Sequence, residues 1–180
     1  MAHDEVLVSI DVEASGPSPS TGSLLSIGAC LVENPEIALY LELKPLPGQP
    51  WSEDAERIHG LSRRQLEESG LEAAAAMQRL AAWLTEVSDR REPVFVGFNA
   101  TFDWMFVADY FHRFLGHNPF GASGLDIKAY YMGRRRLLRW DETRLDLVAR
   151  RYGLAAVHAH HALDDAREQA RLMRLVGDDK

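Results

Sequence analysis

The chain has 180 residues, 46% of them apolar, a single cysteine and a formal net charge of −7. This length supports one domain over residues 1–180 with a sizeable core, and one cysteine excludes a disulfide framework or a thiolate metal site. The negative balance argues against bulk nucleic-acid binding, but it is uneven: residues 1–90 carry 6 Lys and Arg against 15 Asp and Glu, and residues 91–180 carry 14 against 12.

The start of the chain, MAHDEVLVSI, has no basic leader and only a short apolar stretch, so no signal peptide is expected there. No segment is long enough to span a bilayer. A cytoplasmic protein without a membrane partner is the expectation. The first strand is predicted at 5–13, where Val6, Val8, Ile10 and Val12 alternate with Leu7, Ser9, Asp11 and Glu13. Strand side chains alternate between faces, so Asp11 and Glu13 emerge together at the end of a core strand. Like charges that close repel, and something must neutralise them.

The loop SGPSPSTGS leads to a strand at 24–32, in which Cys30 reads as a small buried hydrophobe. A third strand is predicted at 37–44, and the short gaps favour an antiparallel meander. Two short helices, SEDAERIH and SRRQLEES with Ser62 as N-cap, precede the Ala- and Leu-rich helix LEAAAAMQRLAAWLTEV. PVFVGFN is a fourth strand, read as buried on both faces. The helix ATFDWMFVADYFHRFLG follows it and stops at Gly116. GLDI is a fifth strand leading into KAYYMGRRRLLRW. ETRLDLVARRYG and HHALDDAREQARLMRLV are the last two helices. This order predicts an α/β fold: a central five-stranded mixed sheet, its first three strands antiparallel, flanked by helices.

Three places carry chemistry. Asp11 and Glu13 are the first. The second is Asp103, in the opening turns of a helix, where the dipole favours negative charge and Asn99 or Thr101 is placed to cap. Its neighbours Phe102, Trp104, Met105, Phe106 and Val107 enclose it. The third is HAHHALDDAREQA. On a helical wheel Ala162, Leu163, Ala166, Ala170 and Met173 form the buried stripe, Asp165 lies at its border and Asp164 points to solvent. His158, His160 and His161 lack further partners at zinc-ligand spacing. A single titrating histidine at the start of a helix suits general-base work better. Asp11, Glu13, Asp103 and Asp165 together form an oxygen-rich set that suits two divalent cations, Mg²⁺ or Mn²⁺. Four positive charges would make the crowding tolerable. Residues 128–151 hold eight basic side chains (Lys128, Arg134, Arg135, Arg136, Arg139, Arg144, Arg150, Arg151) against three acidic ones. That stripe reads as a solvated helix face, a substrate track or a subunit contact.

Asp-x-Glu on a first strand, NATFD at the head of a middle helix and HHALDD opening a last helix resemble the three motifs of the DEDDh 3′–5′ exonucleases. That family includes the proofreading subunit of bacterial DNA polymerase III, RNase T and oligoribonuclease. The resemblance covers residues 5–175 and implies a ribonuclease H-like fold. It implies release of nucleoside 5′-monophosphates from the 3′ end of single-stranded DNA or RNA, by a two-metal mechanism. Carried over residue by residue, Asp11 would bridge both metals, Glu13 and Asp165 would complete the first site and Asp103 would hold the second. His160, the histidine of H-x-A-L-x-D, would take the proton from the attacking water, with His161 as the alternative if the register shifts by one. The segment IHGL, with His59, resembles the His-Gly segment of polymerase-type exonucleases, and Asp126 matches an aspartate of structural role. Val12, Ala14, Ser15, His59 and Phe102 are the implied substrate contacts. The loop ASGPSPSTGS departs from the family's Glu-Thr-Thr-Gly pattern, which leaves DNA against RNA open. The alternative is a non-catalytic nucleic-acid or protein-binding module on the same fold. A homodimer is also left open.

Overall fold

The computed structural model describes residues 4–155 and 160–179. The strands are β1 (Glu5–Ala14), β2 (Leu24–Leu31), β3 (Ala38–Glu42), β4 (Glu92–Gly97) and β5 (Gly124–Asp126). They form one sheet in the order β3-β2-β1-β4-β5. β2 pairs antiparallel with both β1 and β3, whereas β4 runs parallel to β1 and β5. The helices are α1 (Glu53–His59), α2 (Arg63–Ser69), α3 (Ala73–Ser88), α4 (Thr101–Leu115), α5 (Ile127–Arg135), α6 (Leu145–Arg151) and α7 (Ala162–Asp178). The mixed five-stranded sheet flanked by helices is the expected architecture.

The alternation along β1 divides the core in two. Val6, Val8, Ile10 and Val12 face α3 and α4, packing with Leu80, Leu84, Phe106, Val107 and Tyr110. Full burial of a side chain such as Leu80 or Phe106 contributes about 1.5–3 kcal/mol. The other face packs under α5, α6 and α7, where Cys30 and Val96 meet Ile127, Val148, Ala166, Ala170 and Met173. Cys30 is buried and free, as expected. Tyr110 pins α4 to the sheet: its hydroxyl accepts the Leu24 N–H at 2.8 Å. No helix among the described residues is long and apolar enough to cross a membrane.

Local expectations fail where backbone conformation overrides side-chain propensity. Neither Asn99 nor Thr101 caps α4. Asn99 is left-handed (φ 61°), Ala100 occupies the cap position, and Asp126 accepts the Ala100 N–H from outside the helix at 2.8 Å. Ser62 sits at the N-cap of α2 but makes no side-chain cap bond. The segment after β5 is helical only to Arg135, because Arg136 turns left-handed (φ 53°), and a 3₁₀ turn follows at Trp140–Thr143. β4 is fully buried only in its second half, since Glu92 is exposed and Pro93 and Val94 are half-buried.

Candidate active site

β1 and β4 run parallel, and their carboxyl ends open into a cleft of about 520 Å³. Crevices at the carboxyl ends of strands are where open α/β sheets hold ligands. Asp11, Glu13, Asp103, Asp165 and His160 all line this one cleft. Residues separated by as much as 154 positions along the chain thus meet in one place.

Each arrives by a different route. Asp11 and Glu13 project from the face of β1 opposite the Val6–Val12 core, as the alternation requires. Asp103 sits in the first turn of α4, only 5% exposed, and its Oδ1 accepts the Val12 N–H at 3.0 Å. Asp165 lies in the first turn of α7 and is 3% exposed, deeper than the border position expected of it, while Asp164 is exposed as expected. Carboxylates at both helix starts gain from the dipole.

The depth of Asp165 has a cause on β2. Gly28 stands opposite Asp11 in the ladder, and a Cβ added there would lie 2.2 Å from Ala162 C and O and Leu163 N. The first turn of α7 therefore rests directly on the β2 backbone beside Asp11. His160 precedes it in a left-handed conformation (φ 51°). Ligand atoms of Glu13, His160 and Asp165 lie within 4.8 Å of one another. His161 instead stacks on Tyr40, ring centroids 4.5 Å apart, and approaches Asp164 at 3.3 Å. His158 lies outside the described residues.

Electrostatics record the crowding. Burial holds the Asp11 carboxyl well above the usual range, and the charges of Asp103, Asp165 and Glu13 push it further in that direction. Burial raises Asp103 to about 7 against the pull of backbone N–H groups, with Glu13 and Asp126 adding to the rise. Among the described residues, Glu13, His160 and Asp165 form a group able to hold a metal ion, and carboxylate oxygens with one imidazole suit a hard divalent cation.

The expected substrate contacts divide. Val12 and Phe102 line the cleft. Ala14 is buried, and Ser15 is tied into the loop: its Oγ accepts the Ser23 N–H at 2.8 Å and donates to Pro50 O at 3.1 Å. His59 Nδ1 accepts the Leu61 N–H at 3.0 Å, so the neutral ring carries its hydrogen on Nε2, which is buried without a partner among the described residues. Burial lowers the pKa of His59, opposed by Glu56 and assisted by nearby His160. Asp126 is structural: besides Ala100 it caps α5, accepting the Lys128 and Ala129 N–H groups.

One residue of the site went unread in the sequence. Gln169 donates from Nε2 to Asp11 Oδ1 at 2.6 Å and accepts the Phe98 N–H on Oε1 at 2.9 Å. Its signal was available, because it lies four residues after Asp165 beside Ala166 and Ala170 and is a polar residue on an otherwise apolar stripe.

An exonuclease family model matches residues 8–173. The chain belongs to the exonuclease family. It is 43% identical over 173 residues to the 3′–5′ DNA exonuclease Cap18 of Escherichia coli, covering 96% of this chain and 91% of that protein. Among solved structures, the nuclease domain of 3′hExo, a DEDDh family member bound to rAMP, superposes with a TM-score of 0.75 at 12% identity, over 98% of this chain and 94% of that one. E. coli Exonuclease I in complex with a dT13 oligonucleotide gives 0.73 at 19% identity, over 97% of this chain but only 41% of that one. These two likenesses concern the fold. The chain is thus an exonuclease, a hydrolase of phosphodiester bonds.

Proposed function

We propose that this exonuclease removes nucleoside 5′-monophosphates one at a time from the 3′ end of single-stranded DNA, using two divalent cations, Mg²⁺ or Mn²⁺. The observation that carries this reading is the convergence of four carboxylates and His160 on one cleft. The choice of DNA rests on the 43% identity to a 3′–5′ DNA exonuclease.

Asp11, Glu13, Asp103 and Asp165 would hold the cations, whose chemistry is to polarise the phosphoryl group and lower the pKa of the attacking water. The raised Asp11 and Asp103 carboxyls fit a site built to receive positive charge. His160, beside Glu13 and Asp165, takes the proton from water as the new P–O bond forms and the bond from phosphorus to the preceding 3′ oxygen breaks. Phe102 and Val12, on the cleft wall, pack against the terminal nucleoside, and His59, which interacts with His160, is the third contact. Ala14 and Ser15 act by shaping the loop that ends β1.

The test is a product ladder. With Mn²⁺, a 5′-labelled DNA oligomer should shorten one nucleotide at a time, a 3′-labelled one should release labelled mononucleotide at once, and matched RNA should react more slowly. Internal cuts, or no turnover on DNA or RNA, contradict the reading, and the latter outcome favours a binding module on the same fold.

A further inference from the structure

The basic stripe does not spread evenly over solvent. Two of its members, Lys128 and Arg144, line the same cleft as the catalytic carboxylates. Lys128 is the second residue of α5, two positions after Asp126, whose carboxylate holds both the Lys128 N–H and the Ala100 N–H at the head of α4. Its position is therefore fixed to the catalytic helix. The ammonium contacts ring faces: it sits 4.4 Å from the centroid of Trp140 and 5.9 Å from that of Phe98. Trp140, on the 3₁₀ turn, is 50% exposed despite its size, and its neighbour Leu138 is 92% exposed. Arg144 is held by two bonds of 3.1 Å to Asp146, which also lines the cleft.

An exposed indole packed on one cleft-lining cation, with a second cleft-lining cation four residues further along the chain, is a local device in an acidic protein. Cations follow the phosphates of a single strand and aromatic faces stack its bases, largely without regard to sequence. The proposed contacts of the terminal nucleoside are Phe102, Val12 and His59, which leaves this edge to the chain that precedes it.

We propose that Trp140, Lys128 and Arg144 form a subsite for nucleotides on the 5′ side of the scissile bond, with Trp140 stacking a base and the two cations holding a phosphate. The inference rests on the exonuclease reading above and adds a determinant of substrate length.

Two substrates separate the subsite from the catalytic centre: the single-stranded octamer dT8, and the p-nitrophenyl ester of thymidine 5′-monophosphate, which has no upstream nucleotide. Trp140→Ala should lower kcat/KM on dT8 by roughly 5- to 50-fold, mainly through KM, with a severalfold smaller loss on the ester. Trp140→Phe should recover most of the loss. Lys128→Gln should reduce the slope of log KM against log salt by about one. Equal losses on both substrates, or none on dT8, overturn the subsite. If the wild-type enzyme cleaves neither substrate, the exonuclease reading fails, and anisotropy of 5′-labelled dT8 in Ca²⁺ decides the subsite alone. Weaker binding by Trp140→Ala then supports it, and unchanged binding overturns it.

Discussion

Gln169 Nε2 lies 2.6 Å from Asp11 Oδ1, and its Oε1 accepts the Phe98 N–H. The amide can point only one way, because a carboxylate accepts and a backbone N–H donates. Through this side chain α7, β1 and the end of β4 are locked together where the carboxylates meet. Partners that orient metal-binding side chains typically affect affinity or activity by 10- to 100-fold when removed. Gln169→Leu should therefore reduce activity by about that factor and raise the Mn²⁺ concentration needed for half-maximal rate. A loss below twofold in both would show that Asp11 holds its place unaided.

Gly28 sets how closely α7 can approach. A Cβ there meets the Ala162 and Leu163 backbone at 2.2 Å, a contact that no flexible side chain can relieve. Overpacking of this kind costs about 1–3 kcal/mol. Gly28→Ala should lower the melting temperature and, by lifting the first turn of α7, remove Asp165 from Glu13 and most of the activity. Thermal denaturation alongside a nuclease assay checks both, and a fully active, equally stable variant would refute the packing account.

Asp103 predicts a pH effect of definite sign. Burial raises its carboxyl to about 7 in the folded protein, against an ordinary value of 3.8. Between those values the folded state holds the extra proton, so stability contributed by this group is present at low pH and falls as pH rises, the loss being complete above about 7. Metal-free Asp103→Asn should therefore be more stable than the wild type at pH 8, with a gap that closes toward pH 4. Saturating Mn²⁺ should reverse the order at pH 8. Denaturant melts at several pH values give the comparison.

His160 distinguishes proton transfer from ligation. As general base its loss should lower kcat by about 10²–10⁴-fold with a much smaller change in Mn²⁺ affinity. Since its ring lies within 4.8 Å of ligand atoms of Glu13 and Asp165, equal losses in rate and affinity for His160→Ala would make it a ligand.

The sheet was legible because β1 alternates cleanly and its partners follow through short gaps. The carboxylates were legible because motif order survives where sequence distance does not: Asp11 and Asp165 are neighbours only once α7 lies on β2. What was missed belongs to tertiary contact. Gln169 looks like any polar helix residue until Phe98 and Asp11 are both beside it. Gly28 reads as one more small strand residue until Ala162 rests on it. Asp126, outside α4, satisfies the helix start that Asn99 or Thr101 was expected to cap: Asn99 is spent on a left-handed turn that the composition does not announce, and Thr101 lies inside the helix.

The central claim is that Asp11, Glu13, Asp103 and Asp165 jointly hold divalent cations. Calorimetric titration of Mn²⁺ into the wild type, Asp11→Asn and Asp165→Asn tests it most directly. Two ions bound by the wild type in the presence of thymidine 5′-monophosphate, with strongly weakened binding in both variants, is the expected result. Isotherms indistinguishable among the three proteins would contradict it.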